Sequence, residues 1–538
     1  MFLDLNPEQR AAANSINGNF VILAGPGVGK TAMSIQRYLE MISTHGISPK
    51  DIANFTFTNS AAAEAVSRIG MFDADKVFRT FHSYALDLLQ RERAYLPFSL
   101  CDTIIPVRGE KFQLLKDLMK MYPPITTFRS LSDRIEAWQC ANTSPDQAID
   151  EAYHAKGTEY FYASAFRDYE KKSREQGWLD FHGLITESVN LLETNPEVRE
   201  RNKKKYIGLD EAQDTDIQQF RLLQLIYDGN IFAVGDESQL IYEWRSAQSG
   251  NLSNFAKTFP GSKTLYMGAN YRSTQRLVSF FKKITPVDNG LASHMVSMRE
   301  EGVDPTFTKF DDDIQEASVV LKCITDLENS AVIARTNRQL LNFQKMCMGR
   351  GIKSMILGKK DLWQQNEIRD LLDSAKDHTA DSRPAHVVLE ELMTAGNLIH
   401  RYRNTGSPLE KDPVENLNNV IKMSAKRGNI KEFLDWVRKL TYGIEAAKNK
   451  PLAERRDKTP ILRLSTVHQM KGRQAKYVFV IGVNQKMMPH QDGEISEEKR
   501  IFFVACTRAA DELHISFSGN RSEFLNDFIN RIEEYKSE

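Results

Sequence analysis

The sequence predicts an α/β protein built as two parallel-sheet domains, each interrupted by a mainly helical insertion. Three observations predict it. Short apolar runs of strand length cluster near residues 20–23, 52–57, 205–209, 231–235 and 264–267, then again near 331–334, 462–466, 477–482 and 513–517. Stretches of helical periodicity alternate with them, the pattern of parallel strands covered by helices on both faces. At 538 residues the chain is also too long for a single hydrophobic core.

Two stretches break the alternation. Residues 86–178 lack strand patterning and read as helices, with breaks at Pro97, Pro123-Pro124 and Ser144-Pro145. Residues 370–458 also read as helical, for example from Pro413 to Leu440. The expected domains are therefore 1–85 with 179–280, carrying the insertion 86–178, and 281–369 with 459–538, carrying the insertion 370–458.

Composition narrows the function classes. Hydrophobic residues at 41% and charged residues at 26% are ordinary for a globular protein. Lys plus Arg equals Asp plus Glu, 71 each, a balance that neither supports nor excludes nucleic acid but argues against a wholly electrostatic coat. Any such binding is built from particular residues. Met1 to Pro7 has no basic start, and no apolar run is long enough to span a bilayer. The five cysteines are scattered and form no CxxC pair, which argues against a disulfide framework or zinc ribbon and for reduced thiols in a cytoplasmic protein. The eleven histidines show no HExxH spacing, so no metal is expected beyond one carried by a nucleotide. Lys203-Lys204-Lys205 and Asp311-Asp312-Asp313 read as solvated surface.

The first apolar run, Asn19 to Leu23, leads into Ala24-Gly25-Pro26-Gly27-Val28-Gly29-Lys30-Thr31 and then a helical pattern from Ala32 to about Met41. Strand, glycine loop and helix are the context of a phosphate-binding loop. Its glycines let backbone N–H groups curl around phosphate oxygens. Lys30 neutralises the β- and γ-phosphates, and the Thr31 hydroxyl holds magnesium. The pattern usually begins with Gly where this chain has Ala24. Later, Lys205 to Leu209 reads as a strand ending in Asp210-Glu211-Ala212-Gln213-Asp214. Asp210 at the strand's end can hold magnesium, and Glu211 can polarise the water that attacks the γ-phosphate. Loop and acid pair together predict a nucleoside-triphosphate hydrolase with magnesium as its metal.

At Asp210 to Asp214 the chain resembles superfamily 1 helicases of the UvrD/Rep/PcrA group, and further motifs of that family occur in order along its length. Leu5 to Gln9 resembles the adenine-reading segment, with Gln9 as the reader. Thr56 to Glu64 resembles motif Ia, Thr80 to Ser83 motif Ib, and Leu179-Asp180-Phe181 the return into the first motor domain. Val234 to Arg245 resembles motif III, Asn270 to Ser273 motif IV, and Ala334 to Asn337 the motif after it. Thr466 to Gly472 resembles motif V, and Glu498 to Ala509 motif VI.

The resemblance implies two RecA-like motor domains with a fold of the P-loop class. It implies that Gln239 senses the γ-phosphate and that Arg272 and Arg508 are arginine fingers supplied from across a domain cleft. A planar guanidinium suits phosphate oxygens better than a lysine point charge. Tyr271 is implied to stack on adenine. Phe57, Thr58, Asn59, His82, Tyr242, Trp244, Arg335, Asn337, Thr466 and His468 are implied contacts to single-stranded DNA. Binding without regard to sequence needs aromatic faces on which any base can stack, and Trp244 is the foremost of these.

Departures from the family pattern are informative. Gln474 stands where the family has the glutamate that contacts the ribose, and Ala32 where it often has arginine. Both bear on nucleotide selectivity. The insertion 370–458 is about half the family's usual length, which bears on duplex engagement. Few residues follow motif VI, so a fused nuclease is not expected. The implied activity is a 3′-to-5′ DNA translocase and helicase acting at single/double-strand junctions. The alternative is a DNA-stimulated ATPase working with a separate nuclease in repair or phage defence. A non-hydrolysing scaffold would have damaged motifs, and these are intact.

Overall fold

The computed structural model describes residues 4–70, 73–100, 110–125, 127–155, 157–242, 250–358, 362–402, 413–442, 444 and 458–534. It divides into two compact units, residues 1–271 with 287–296 and residues 272–286 with 297–538.

The first unit is built on six parallel strands: β1 Asn19–Ala24, β2 Ile52–Phe55, β3 Phe78–Arg79, β4 Lys204–Leu209, β5 Tyr227–Gly235 and β6 Lys263–Met267, in the order β3-β2-β4-β5-β1-β6. Every residue of β1 is buried, as a strand covered on both faces requires. It lies between β5 and β6, with Val21 opposite Ala233 and Thr264. The helices that position the site are α1 Pro7–Ala13, α2 Lys30–Ser43, α3 Asn59–Ile69 and α4 Phe81–Arg91. Asn6 and Gln9 cap α1 reciprocally, side chain to backbone in both directions.

Four helices follow between the strands, α5 Glu110–Met121, α6 Phe128–Cys140, α7 Pro145–Ala155 and α8 Glu159–Glu175. They enclose a core of their own that includes Leu115, Leu118, Ile135, Trp138 and Phe166. Asp180 joins them to α9, Phe181–Thr194. Its carboxylate caps α9 by accepting from Gly183 N (2.9 Å), and it also takes Lys111 Nζ (2.9 Å) and Tyr169 OH (2.8 Å). Lys111 leads the groups that hold Asp180 at about 2 against the upward push of burial.

The second unit carries seven parallel strands: β7 Thr306–Phe310, β8 Ser330–Ala334, β9 Ser354–Ile356, β10 Leu462–Thr466, β11 Ala475–Val480, β12 Ala509–Ser518 and β13 Ile532–Glu534. Their order is β9-β10-β8-β11-β12-β7-β13. Helix α10, Gln275–Lys283, belongs to this unit, with Phe280 against Phe307 and Phe528. A helical bundle interrupts the strands, its core running from Ile368 and Leu389 to Phe433 and Trp363. Within it the stretch from Pro413 is two helices, Pro413–Ser424 and Ile430–Thr441. Gly428 at φ 72° and the capping box of Asn429 with Glu432 separate them. Among the described residues, no helix is long and apolar enough to cross a membrane.

Candidate active site

The loop predicted to hold phosphate connects β1 directly to α2, which begins at Lys30, two residues earlier than its periodicity suggests. Gly27 (φ 72°) and Gly29 (φ 80°) take the left-handed conformation that turns successive N–H groups inward. The 14-residue α2 then offers its positive end to an anion. Side chains fix the loop's outer edge. Gln9 Nε2 donates to Val28 O (2.8 Å), and Asn270 Nδ2 donates to Pro26 O (2.7 Å). Backbone bonds add Gly25 N to Met267 O and Tyr271 N to Gly27 O.

Gln9 is thus committed at both ends of its amide, because Oε1 also accepts Asn6 N (3.0 Å). The residue expected to read adenine is buried as a clamp on the loop. Tyr271, expected to stack on adenine, is 46% exposed beside it, its hydroxyl accepting Asn6 Nδ2 at 2.8 Å. Neither Asn6 nor Asn270 was singled out from the sequence. The only signal available was their place inside the quoted motifs.

The acid pair lies at the mouth of this loop. Lys30 Nζ meets Glu211 Oε2 at 2.9 Å, and Gln213 Nε2 meets the same oxygen at 2.7 Å. Asp210 accepts the Glu211 N–H at 3.0 Å. Glu211 sits at φ 50°, a left-handed conformation costly for a side-chain-bearing residue, and such residues cluster where function requires the geometry. Gln239 Nε2 donates to Asp236 Oδ2 (2.8 Å), while Gln213 Oε1 takes Asp236 N (3.0 Å). A single chain of contacts therefore links Lys30, Glu211, Gln213, Asp236 and Gln239.

Electrostatics follow from this arrangement. Burial pulls the Lys30 ammonium down, but Glu211, Asp210 and Asp236 outweigh it and the pKa is raised, so Lys30 stays charged. Burial, then Glu211, pushes Asp210 up to about 6. Burial also raises Asp236. One cation among three carboxylates leaves negative charge that a divalent cation would offset. A narrow cavity of about 30 Å³, lined by Thr31 and Asp210 among others, adjoins them. No cluster of three metal-binding side chains occurs among the described residues. A magnesium ion takes few protein ligands and draws the rest from phosphate and water, and Thr31 and Asp210 are the side chains here that would hold one. A separate cavity of about 540 Å³, lined by Asn142, Asn190 and Gln218 among others, includes no residue of the loop or acid pair.

Of the expected DNA contacts in the first unit, Phe57 and Tyr242 stack on each other, centroids 5.1 Å apart. Thr58 caps α3, accepting Ala61 N, and Asn59 is exposed at the helix start. His82 meets the ring of Phe181, which is 49% exposed, edge to face at 5.1 Å. Phe181 was quoted from the sequence only as a chain-return residue. Trp244 lies outside the described residues.

In the second unit, Arg272 Nε donates to Gln474 Oε1 (2.6 Å) and Nη1 to Thr507 O (3.0 Å). Arg508 is buried, with Nε on Val504 O (2.9 Å) and Nη2 on Thr507 Oγ1 (2.9 Å). The two expected fingers share a neighbour. Arg335 is held by the buried Glu498 (2.7 Å), so its guanidinium faces a carboxylate. Asn337 begins the helix Asn337–Gly349, Thr466 ends β10 and is buried, and His468 is half-buried just beyond it.

Comparison with known proteins identifies the family. The UvrD/REP helicase N-terminal domain family matches residues 5–260. The UvrD-like helicase C-terminal domain family matches 265–376 and 372–520. The chain is similar to the ATP-dependent DNA helicase PcrA of Staphylococcus aureus, 24% identical over 630 aligned positions that cover 97% of this chain and 84% of that protein. It is equally similar to PcrA of Staphylococcus epidermidis, at 24% over 645 positions, 99% and 86%.

Proposed function

The chain belongs to the UvrD/Rep/PcrA family of superfamily 1 helicases, and from that premise we propose an ATP-dependent DNA helicase that moves 3′ to 5′ along single-stranded DNA. The observation that carries the reading is the Lys30–Glu211 pair at 2.9 Å beside Asp210, at the mouth of the glycine loop.

In this reading an incoming γ-phosphate replaces Glu211 as the partner of Lys30. The released carboxylate then orients and polarises the attacking water. Gln239, tethered through Asp236, reports the presence of the phosphate to the track segment that contains Tyr242. Thr31 and Asp210 would hold a nucleotide-borne magnesium, which would neutralise charge on the phosphate oxygens. Tyr271 offers its exposed ring to the adenine. Arg272 and Arg508 supply positive charge as the γ-phosphoryl group departs. Nucleotide binding and release alternately engage and free these arginines, and that alternation drives the step along the strand. Phe57 and Tyr242 present stacking faces to successive bases.

The domain parse goes with this reading, with its boundary moved from 280 to 271 so that helix α10 stays whole: residues 1–85 and 179–271 belong to one motor domain, and 272–286, 297–369 and 459–538 to the other. The compact helical bundle between Asn366 and Thr441 favours a second reading, a DNA-stimulated translocase that engages duplex weakly and works with a separate nuclease. ATP turnover measured with single-stranded DNA, single-stranded RNA and no nucleic acid tests the first reading. DNA should stimulate turnover strongly, and Lys30→Ala should abolish it while leaving DNA binding intact. Equal turnover with and without DNA would refute the motor.

A further inference from the structure

The two arginines of the second unit are held by one residue. Thr507 is fully buried directly after the helix Ile495–Cys506. Its main-chain carbonyl accepts Arg272 Nη1 at 3.0 Å, and its hydroxyl accepts Arg508 Nη2 at 2.9 Å. The hydroxyl's single proton goes to Val504 O at 3.1 Å, and the same carbonyl takes Arg508 Nε at 2.9 Å. Because that proton is committed, the oxygen turns its lone pairs to Arg508 and acts there only as an acceptor. Val504, Thr507 and Arg508 close a ring of three hydrogen bonds. Around it the main chains are joined as well. Ser273 Oγ donates to Ala509 O (2.6 Å) and Thr274 N to Ala510 O (3.1 Å). Arg299 Nη1 bonds both Arg272 O and Asp511 Oδ1 at 2.7 Å.

We propose that Thr507 is a positioning residue that yokes Arg272 to Arg508, presenting both guanidiniums to the γ-phosphate as one preset pair. The proposal rests on the reading of these arginines as the groups that stabilise the departing phosphoryl group. Two like charges do not adopt a fixed mutual geometry unaided, and a preset array avoids reorganisation at the moment of reaction. Thr507 supplies the array from one backbone oxygen and one side-chain oxygen. Gln474 completes the Arg272 side from the surface.

Thr507→Val tests this, since it keeps the shape and the carbonyl and deletes only the hydroxyl. DNA-stimulated kcat should fall on the order of tenfold to a hundredfold, the scale of a group displaced by about an ångström, while KM for ATP stays within about twofold. Thr507→Ser should recover most of the loss. A merely structural role would lower the melting temperature of Thr507→Val without that split between kcat and KM. Should Thr507→Val melt below the assay temperature, Thr507→Cys, close in volume and a poor acceptor, takes its place with the same expected loss. Wild-type kcat in the threonine variants, with Arg508→Ala inactive, overturns the yoke alone. Wild-type kcat in both Arg508→Ala and Arg272→Ala overturns the proposed role of the arginines, and the yoke with it.

Discussion

Replacing Glu211 with glutamine removes one negative charge and nothing else of consequence from the acid pair. The side chain keeps its length, the backbone keeps its left-handed φ of 50°, and Gln213 Nε2 at 2.7 Å still finds an oxygen to bond. Three carboxylates around Lys30 become two, and Asp210 loses the like-charged neighbour that helps hold it near 6. Lys30 loses its partner at 2.9 Å, but Asp210 and Asp236 still favour its charge. These changes oppose one another in the folded state, so stability should move by no more than about 1 kcal/mol. Catalysis has no such compensation. A neutral amide cannot polarise the attacking water, and losing a general base costs about 10²- to 10⁴-fold, or roughly 3 to 5 kcal/mol of transition-state stabilisation. The assay is steady-state ATP turnover with saturating single-stranded DNA, run beside a thermal melt and a nucleotide-binding titration. The expected variant binds ATP, melts like the wild type and turns over at least about a hundredfold more slowly. Turnover within threefold of wild type, or a loss explained by failure to bind ATP, would refute the role given to Glu211.

Three other perturbations separate the parts of the site. Folding raises Asp210 to about 6, so its contribution to stability is present in acid and lost as pH climbs through about 6, while its capacity to hold magnesium runs the other way. The apparent magnesium constant for turnover should therefore weaken by up to about tenfold per pH unit below 6, and added magnesium should restore activity. A constant unchanged from pH 7 to pH 5 would count against Asp210 as a ligand. Phe57→Ala removes one ring of the 5.1 Å stack with Tyr242 and should weaken binding of a labelled oligothymidylate by about 1 to 3 kcal/mol, with KM for ATP unaltered. Unchanged anisotropy titrations would take Phe57 off the track. Gly29→Ala places a methyl 2.8 Å from Gln9 Nε2 at a φ of 80°, and should cost about 1 to 3 kcal/mol in calorimetric unfolding and disable nucleotide binding. A variant that binds ATP normally would show that the loop tolerates a different shape.

Much of this architecture is legible in the sequence because its informative residues are contiguous. The apolar run Asn19 to Leu23 and the glycines after it specify a strand and a loop locally, and Asp210-Glu211 follows another clear strand, β4, in the same way. The four short strands β3, β7, β9 and β13 escape such a reading. Phe78–Arg79 has only two residues, and Thr306–Phe310 alternates polar with apolar, so neither makes an apolar run. Long-range pairings escape it too. Asn6 lies 265 positions from Tyr271, and Arg272 lies 235 from the carbonyl of Thr507 that it bonds. No local pattern encodes those contacts. Motif resemblance identifies a residue's type and place but not its partners. Gln9, expected at the adenine, also braces Val28, and Arg335, expected on DNA, also meets Glu498.

Strand displacement on matched duplexes with either a 3′ or a 5′ single-stranded tail, with ATP and magnesium, tests the central claim most directly. The account predicts unwinding of the 3′-tailed duplex alone, abolished by Lys30→Ala. Unwinding from the 5′ tail, or unwinding that survives loss of Lys30, would contradict it.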